Sequence, residues 1–224
     1  MQPGEQYWNA IDPIWDDIDI DTSESFQRTF QNVPRKLGLL YAAHFCQSEV
    51  CNGGFTQFFR NSTGVLAPEA IEGFAAIGQP QVADVVRRAV SMLGAPYPRD
   101  RAARWSTLAE LAPGSNSQPI SSGDSTYRNI EIFSPLEDGF YSVLKTDGGG
   151  FDNAADRYAA ASGHENARPA TESDKGALGR VPGGSSKADT EGLKNQLLDF
   201  KTSIAEMRKK LAEKTGDQRD ESES

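Results

Sequence analysis

Only two histidines, His44 and His164, occur in the 224 residues, which leaves little material for a nucleophile–histidine–acid relay or a His-rich zinc site. His44 falls on the apolar face of a strong helical pattern and reads as a hydrogen-bonded core histidine. Cys46, Glu49 and Cys51 add metal-ligand types nearby, but helical spacing spreads the four side chains around the axis, so they match no standard site. The two cysteines lie about 140° apart around such a helix, poorly placed for a mutual disulfide. They read as small buried hydrophobes in a reducing compartment. Glu49 ends the apolar helix beside a glycine turn. Burial could tune it as a general acid or base, whereas a hydrogen bond to the free amides of the turn would make it structural, and the structural role is preferred. Asn52, Gln57 and Asn61 invite the same comparison and read as partners for backbone groups where two helices change direction.

The remaining chemistry-bearing clusters are equally spare. Gly148-Gly149-Gly150 precedes a helix but lacks the buried strand and the lysine of a phosphate loop, so it reads as a turn. Arg87, Arg88, Arg99, Arg101 and Arg104 could form a basic patch, but the acidic domain around them argues for solvated faces and local ion pairs rather than a nucleic-acid surface. No catalytic residue, cofactor site or metal site is assigned, and the chain is expected not to be an enzyme.

Charge carries more information. The net charge is -9, and residues 1–163 hold 20 Asp+Glu against 12 Lys+Arg, whereas 164–224 hold 12 against 11. Asp12, Asp16, Asp17, Asp19, Asp21 and Glu24 all precede the first basic residue, Arg28. They form the candidate partner-binding surface, one that repels nucleic acid and attracts basic proteins in a salt-dependent way. The start of the chain lacks a basic and apolar leader pattern, and no run approaches the roughly 20 apolar residues of a membrane span. A cytoplasmic protein without membrane contact is expected.

The elements that must position these residues are helical. Tyr7 to Ile20 sets Trp8, Ile11, Ile14, Trp15 and Ile18 at nearly helical spacing, with aromatics inward and aspartates outward. Further helices are expected over Phe26–Val33, from Leu37 to the Asn52-Gly53-Gly54 turn, over Pro68–Ile77, Gln81–Leu93 and Asp100–Leu111, and from Ser134 and Asp152 onward. In the sequence Ser134-Pro135-Leu136-Glu137 a capping box is expected. Pro113–Thr126 reads as an exposed loop and Tyr127–Phe133 as extended loop. The fold class is all-α: a compact multi-helix domain over 1–163, a disordered linker over 164–192 that is too polar to fold, and an amphipathic or coiled-coil helix over 193–213. A disordered end over 214–224 follows. The seam of that last helix is Leu193, Leu197, Phe200, Ile204, Met207 and Leu211.

Asn52-Gly53-Gly54 then reads as a helix end, because glycine tolerates the left-handed backbone, and Phe55, Phe58 and Phe59 fall at i, i+3 and i+4 on one face of the next helix. The series Glu49, Asn52-Gly53-Gly54-Phe55, Gln57-Phe58-Phe59 and Asn61-Ser62 resembles the signature of a bacterial domain family of unknown function typified by a DNA-mimic protein. The stretch Ala70-Ile71-Glu72-Gly73-Phe74-Ala75-Ala76-Ile77-Gly78 is similar to the family's acidic helix, and the resemblance covers about residues 30–160. It implies an all-α domain. For the typifying member it implies a dimer whose acidic surface imitates DNA phosphates and occupies a DNA-binding transcription factor. The leading expectation is therefore a non-catalytic acidic binding or regulatory protein that engages a basic, DNA-binding protein partner, with a homodimer possible. The alternatives are an interaction module with an apolar groove near the Phe helix and the tail as oligomeriser, and an enzyme centred on Glu49 and His44.

Overall fold

The computed structural model describes residues 2–111 and 131–162. The expected loop 113–126, the linker and the C-terminal helix lie outside the described residues. Eight α-helices and no strand occur among the described residues: α1 (Glu5–Ile11), α2 (Ser23–Phe30), α3 (Arg35–Arg60), α4 (Ala67–Ala76), α5 (Pro80–Ser91), α6 (Arg101–Leu111), α7 (Ser134–Leu144) and α8 (Phe151–Ser162). Single 3₁₀ turns link several of them, including Glu131–Phe133, which lies within the stretch expected to be extended loop.

The centre is α3, whose residues from Gly38 to Cys46 are all buried. A helix apolar around its circumference must be enclosed on every side. Along its length α3 packs against α1, α4, α6, α7 and α8. Against α4 the approach is close enough that a Cβ on Gly73 would lie 2.3 Å from the Leu39 carbonyl oxygen. Only glycine fits that crossing. From α4 onward, α4 packs on α5 and α5 on α7, while α8 returns to α1.

Near its C-terminal end α3 is broken. Gly54 adopts φ +74°, ψ -178°, and the helix resumes at once with Phe55. The Asn-Gly-Gly sequence thus ends one helical stretch, as expected, with Gly53 and Gly54 both non-helical and a second stretch beginning at Phe55. The break releases the Phe55 N–H from the helical ladder, and that buried donor needs an acceptor. Glu137 of α7 supplies it, accepting from the Phe55 amide at 2.9 Å. The capping box expected at Ser134–Glu137 is therefore not formed: α7 has no side-chain cap of its own.

The same device recurs. Asp156 of α8 accepts from the amides of Gly4 (2.7 Å) and Tyr7 (2.9 Å) at the start of α1. Asp147, just after α7, accepts from those of Gln81 (2.7 Å) and Val82 (3.2 Å) at the start of α5. Neither α1 nor α5 has a local side-chain cap. Carboxylates from later elements thus neutralise the positive helix ends. Local capping does occur where expected at Asp100, which accepts from the Ala103 amide at 2.9 Å.

Candidate functional site

The family-signature residues converge on two buried arrangements. In the first, the Glu49 carboxylate accepts from Gln57 Nε2 at 2.7 Å, Asn61 Nδ2 at 2.9 Å and Thr63 Oγ1 at 2.9 Å. Burial pushes its pKa up, and the three donors and the Arg101 charge pull it back. The partners expected were the backbone amides of the glycine turn, for Glu49 and for Gln57 and Asn61 alike. Instead Gln57 and Asn61 bond the Glu49 carboxylate, and the Phe55 amide of the turn goes to Glu137. Asn52 is exposed. In the second arrangement Phe55, Phe58 and Phe59 are fully enclosed. Phe55 stacks on Phe59 at 5.9 Å and meets Phe140 edge-on at 5.6 Å. The three rings therefore have no exposed face to offer a groove.

Beside this lies an arginine cap that sequence reasoning missed. The last carbonyls of α3 have no intrahelical donors. Arg104 of α6, buried, donates through Nε to the Phe59 oxygen at 2.8 Å and through Nη2 to the Asn61 oxygen at 2.9 Å. Arg101 Nε and Trp105 Nε1 both donate to the Arg60 oxygen, at 2.9 and 2.8 Å. The spacing 101, 104, 105 on a helix was the available signal, since i, i+3 and i+4 share a face. Arg99 instead pairs with Glu69 through two hydrogen bonds of 2.7 and 2.9 Å.

His44 is 1% exposed, with its Nδ1 3.4 Å from the Tyr7 hydroxyl and Trp8, Trp15 and Phe45 around the ring. It is a core histidine, as its position on the apolar face predicts. Five positions apart on α3, His44 and Glu49 point to different sides, so they do not form one centre. Cys46 is buried, but Cys51 is exposed, which corrects its reading as a buried hydrophobe. Among the described residues no three His, Cys, Asp or Glu side chains are grouped as metal ligands.

The acidic segment is placed differently. Tyr7, Ile11, Ile14, Trp15, Ile18 and Ile20 turn inward and are buried, while Asp12, Asp16, Asp17, Asp21 and Glu24 are exposed and Asp19 is half-exposed. Trp15 anchors the run on α3 against Phe45, ring centroids 4.9 Å apart. The Asp19 amide donates to Thr29 Oγ1 at 3.0 Å, which draws the run alongside α2. None of Asp16, Asp17 and Glu24 has a cation within ion-pair distance among the described residues. Inward isoleucines thus hold outward carboxylates in a fixed order on a rigid base.

An all-α domain built round a bent central helix, with a buried Glu–Gln–Asn–Thr cluster below the bend and an acidic N-terminal face, is the class these features define. A family model described as DMP19-like protein matches residues 31–162, and the chain belongs to that family. No curated protein and no solved structure matches the chain. No described helix is long and apolar enough to cross a membrane.

Proposed function

We propose that the chain is a non-catalytic, acidic binding or regulatory protein that imitates the charge of DNA and so occupies a basic, DNA-binding protein. The observation that carries this reading is the ordered run of outward carboxylates from Asp12 to Glu24, held by isoleucines that are themselves buried. Membership of a family whose name denotes DNA mimicry supports the same reading. Fold alone does not fix function. Outward carboxylates such as those of Asp16, Asp17 and Glu24 attract a cationic groove and speed its encounter. The non-catalytic part rests on the engagement of the chemistry-bearing groups: Glu49 is saturated by three donors and His44 is enclosed by aromatic rings.

The test is competition. Partners captured from the native host by the full chain at low salt should be displaced by duplex DNA and by raised salt. Partners that survive both treatments would refute mimicry.

A further inference from the structure

The acidic face is assembled on two bases. Asp16 and Asp17 ride on the turn that follows Ile14, closed by the Asp17 amide on the Ile14 oxygen at 3.1 Å and seated by Trp15 against Phe45 of α3. Glu24 rides on the first turn of α2, which begins with its own capping box at Thr22. Residues 18–20 join the two bases without regular structure. Ile18 and Ile20 are buried there, but apolar burial is non-directional and sets depth rather than register. Register needs a directed contact.

The Asp19 amide supplies one, donating to Thr29 Oγ1 near the far end of α2 at 3.0 Å. A hydroxyl has a single proton to give. Thr29 gives its own to the Ser25 oxygen at 2.8 Å, which leaves a lone pair for the amide. Asp19 is itself drawn inward: its Oδ1 accepts from the Asp21 amide at 2.9 Å, and it is half-exposed where Asp16, Asp17 and Glu24 are exposed. We propose that Thr29 is a positioning residue of the acidic face. Its hydroxyl fixes the carboxylates on the Trp15 turn against those on α2, so that the face prefers a rigid basic protein surface to a flexible polycation of equal charge. This rests on the proposed function, because the acidic run attracts the partner and Thr29 sets the pattern that the partner meets. A preorganised surface spares the cost of ordering it on binding, and only a rigid partner gains the full benefit.

Two Lys/Arg-rich peptides of one sequence, one locked as a helix by a hydrocarbon staple and one free, test this against the full chain by fluorescence anisotropy. Amide hydrogen exchange over residues 16–24 is read beside them. Thr29→Val keeps charge and shape but removes the hydroxyl. It should quicken exchange at the Asp19 amide at least about tenfold. It should also weaken the stapled peptide about three- to tenfold and the free peptide less than about twofold, since the free peptide can follow a face whose halves shift. Thr29→Ser, which keeps the hydroxyl, should restore wild-type values. Asp16→Asn with Asp17→Asn should weaken both peptides alike and leave the exchange as it is. Wild-type exchange in Thr29→Val, equal loss for both peptides, no loss for either, or failure of Thr29→Ser to restore them overturns the positioning role and leaves the acidic reading intact. A fall of more than about 10 °C in the melting temperature of Thr29→Val would make Thr29 a support of the whole domain and also overturn the proposal. Unchanged binding by the Asp16 and Asp17 double variant, or binding of neither peptide by the wild type, overturns the acidic reading and with it the part of Thr29 in binding.

Discussion

At the scale of single residues, two carboxylates are held inside the domain at a cost. Burial raises the pKa of both Glu49 and Glu137, against hydrogen bonds that lower it. The folded state therefore retains protons that the unfolded chain has already released just above the ordinary carboxyl value of about 4.3. The contribution of these groups to stability is greatest at low pH, falls as pH rises through that window, and stays lower above it. Glu137→Gln keeps an oxygen for the Phe55 amide and cannot ionise. It is expected to change the melting temperature upward at pH 7 relative to pH 5, compared with wild type; an identical pH dependence in both proteins would mean that Glu137 titrates alike folded and unfolded. Glu137→Ala leaves the amide orphaned and should cost about 1–3 kcal/mol in denaturant unfolding. At Glu49 the preference is reversed. Three donors aim at it, so the amide group of Glu49→Gln turns a donor toward donors, and a loss of about 1–3 kcal/mol is expected.

At the scale of the helix, the bend in α3 assigns different duties to its two glycines. Gly54 has φ +74°, and a Cβ there would lie 2.2 Å from Glu137 Oε1. Gly53, at φ -156°, has a backbone open to any residue, and a Cβ there would crowd the Gln57 side chain that bonds Glu49. Gly54→Ala should therefore cost at least about 1–2 kcal/mol of left-handed strain, clearly more than Gly53→Ala. Equal losses in thermal melts would place the bend elsewhere. The existence of the helices was legible because apolar period and proline or glycine punctuation are local: α5 begins at Pro80 where Gln81 was expected, and α4 at Ala67 where Pro68 was expected. The capping of those helices was not. The acceptor for the Phe55 amide is 82 positions away and that for Gly4 is 152 away, and no local pattern encodes such a pairing. Glu49 reads from sequence as buried and structural, but its partners Gln57, Asn61 and Thr63 are 8 to 14 positions away across the break and are set by the tertiary path of the chain.

At the scale of the molecule, acidity has two uses. Asp147, Asp156, Glu49 and Glu137 work internally, so net charge overstates what a partner meets. Changing Asp16, Asp17, Asp19 and Asp21 to Asn should leave the melting transition in place, because the isoleucines between them hold the segment. Association with a basic partner should slow, most strongly at low salt. Unaltered association rates would exclude the run from the interface. The seat of α1 has a further consequence for synthesis. Asp156, which fastens the start of α1, is synthesised about 150 residues after it. At roughly 5–20 residues per second this is a wait of about 8–30 s. During that wait the run from Asp12 to Glu24 can already dock on α3 through Trp15 and on α2 through Asp19, whereas the start of α1 stays unfastened until α8 arrives. A chain cut short before α8 would carry the same acidic run but leave the Gly4 and Tyr7 amides at the start of α1 without their carboxylate, so the closing of that helix end reports that α8 has been made.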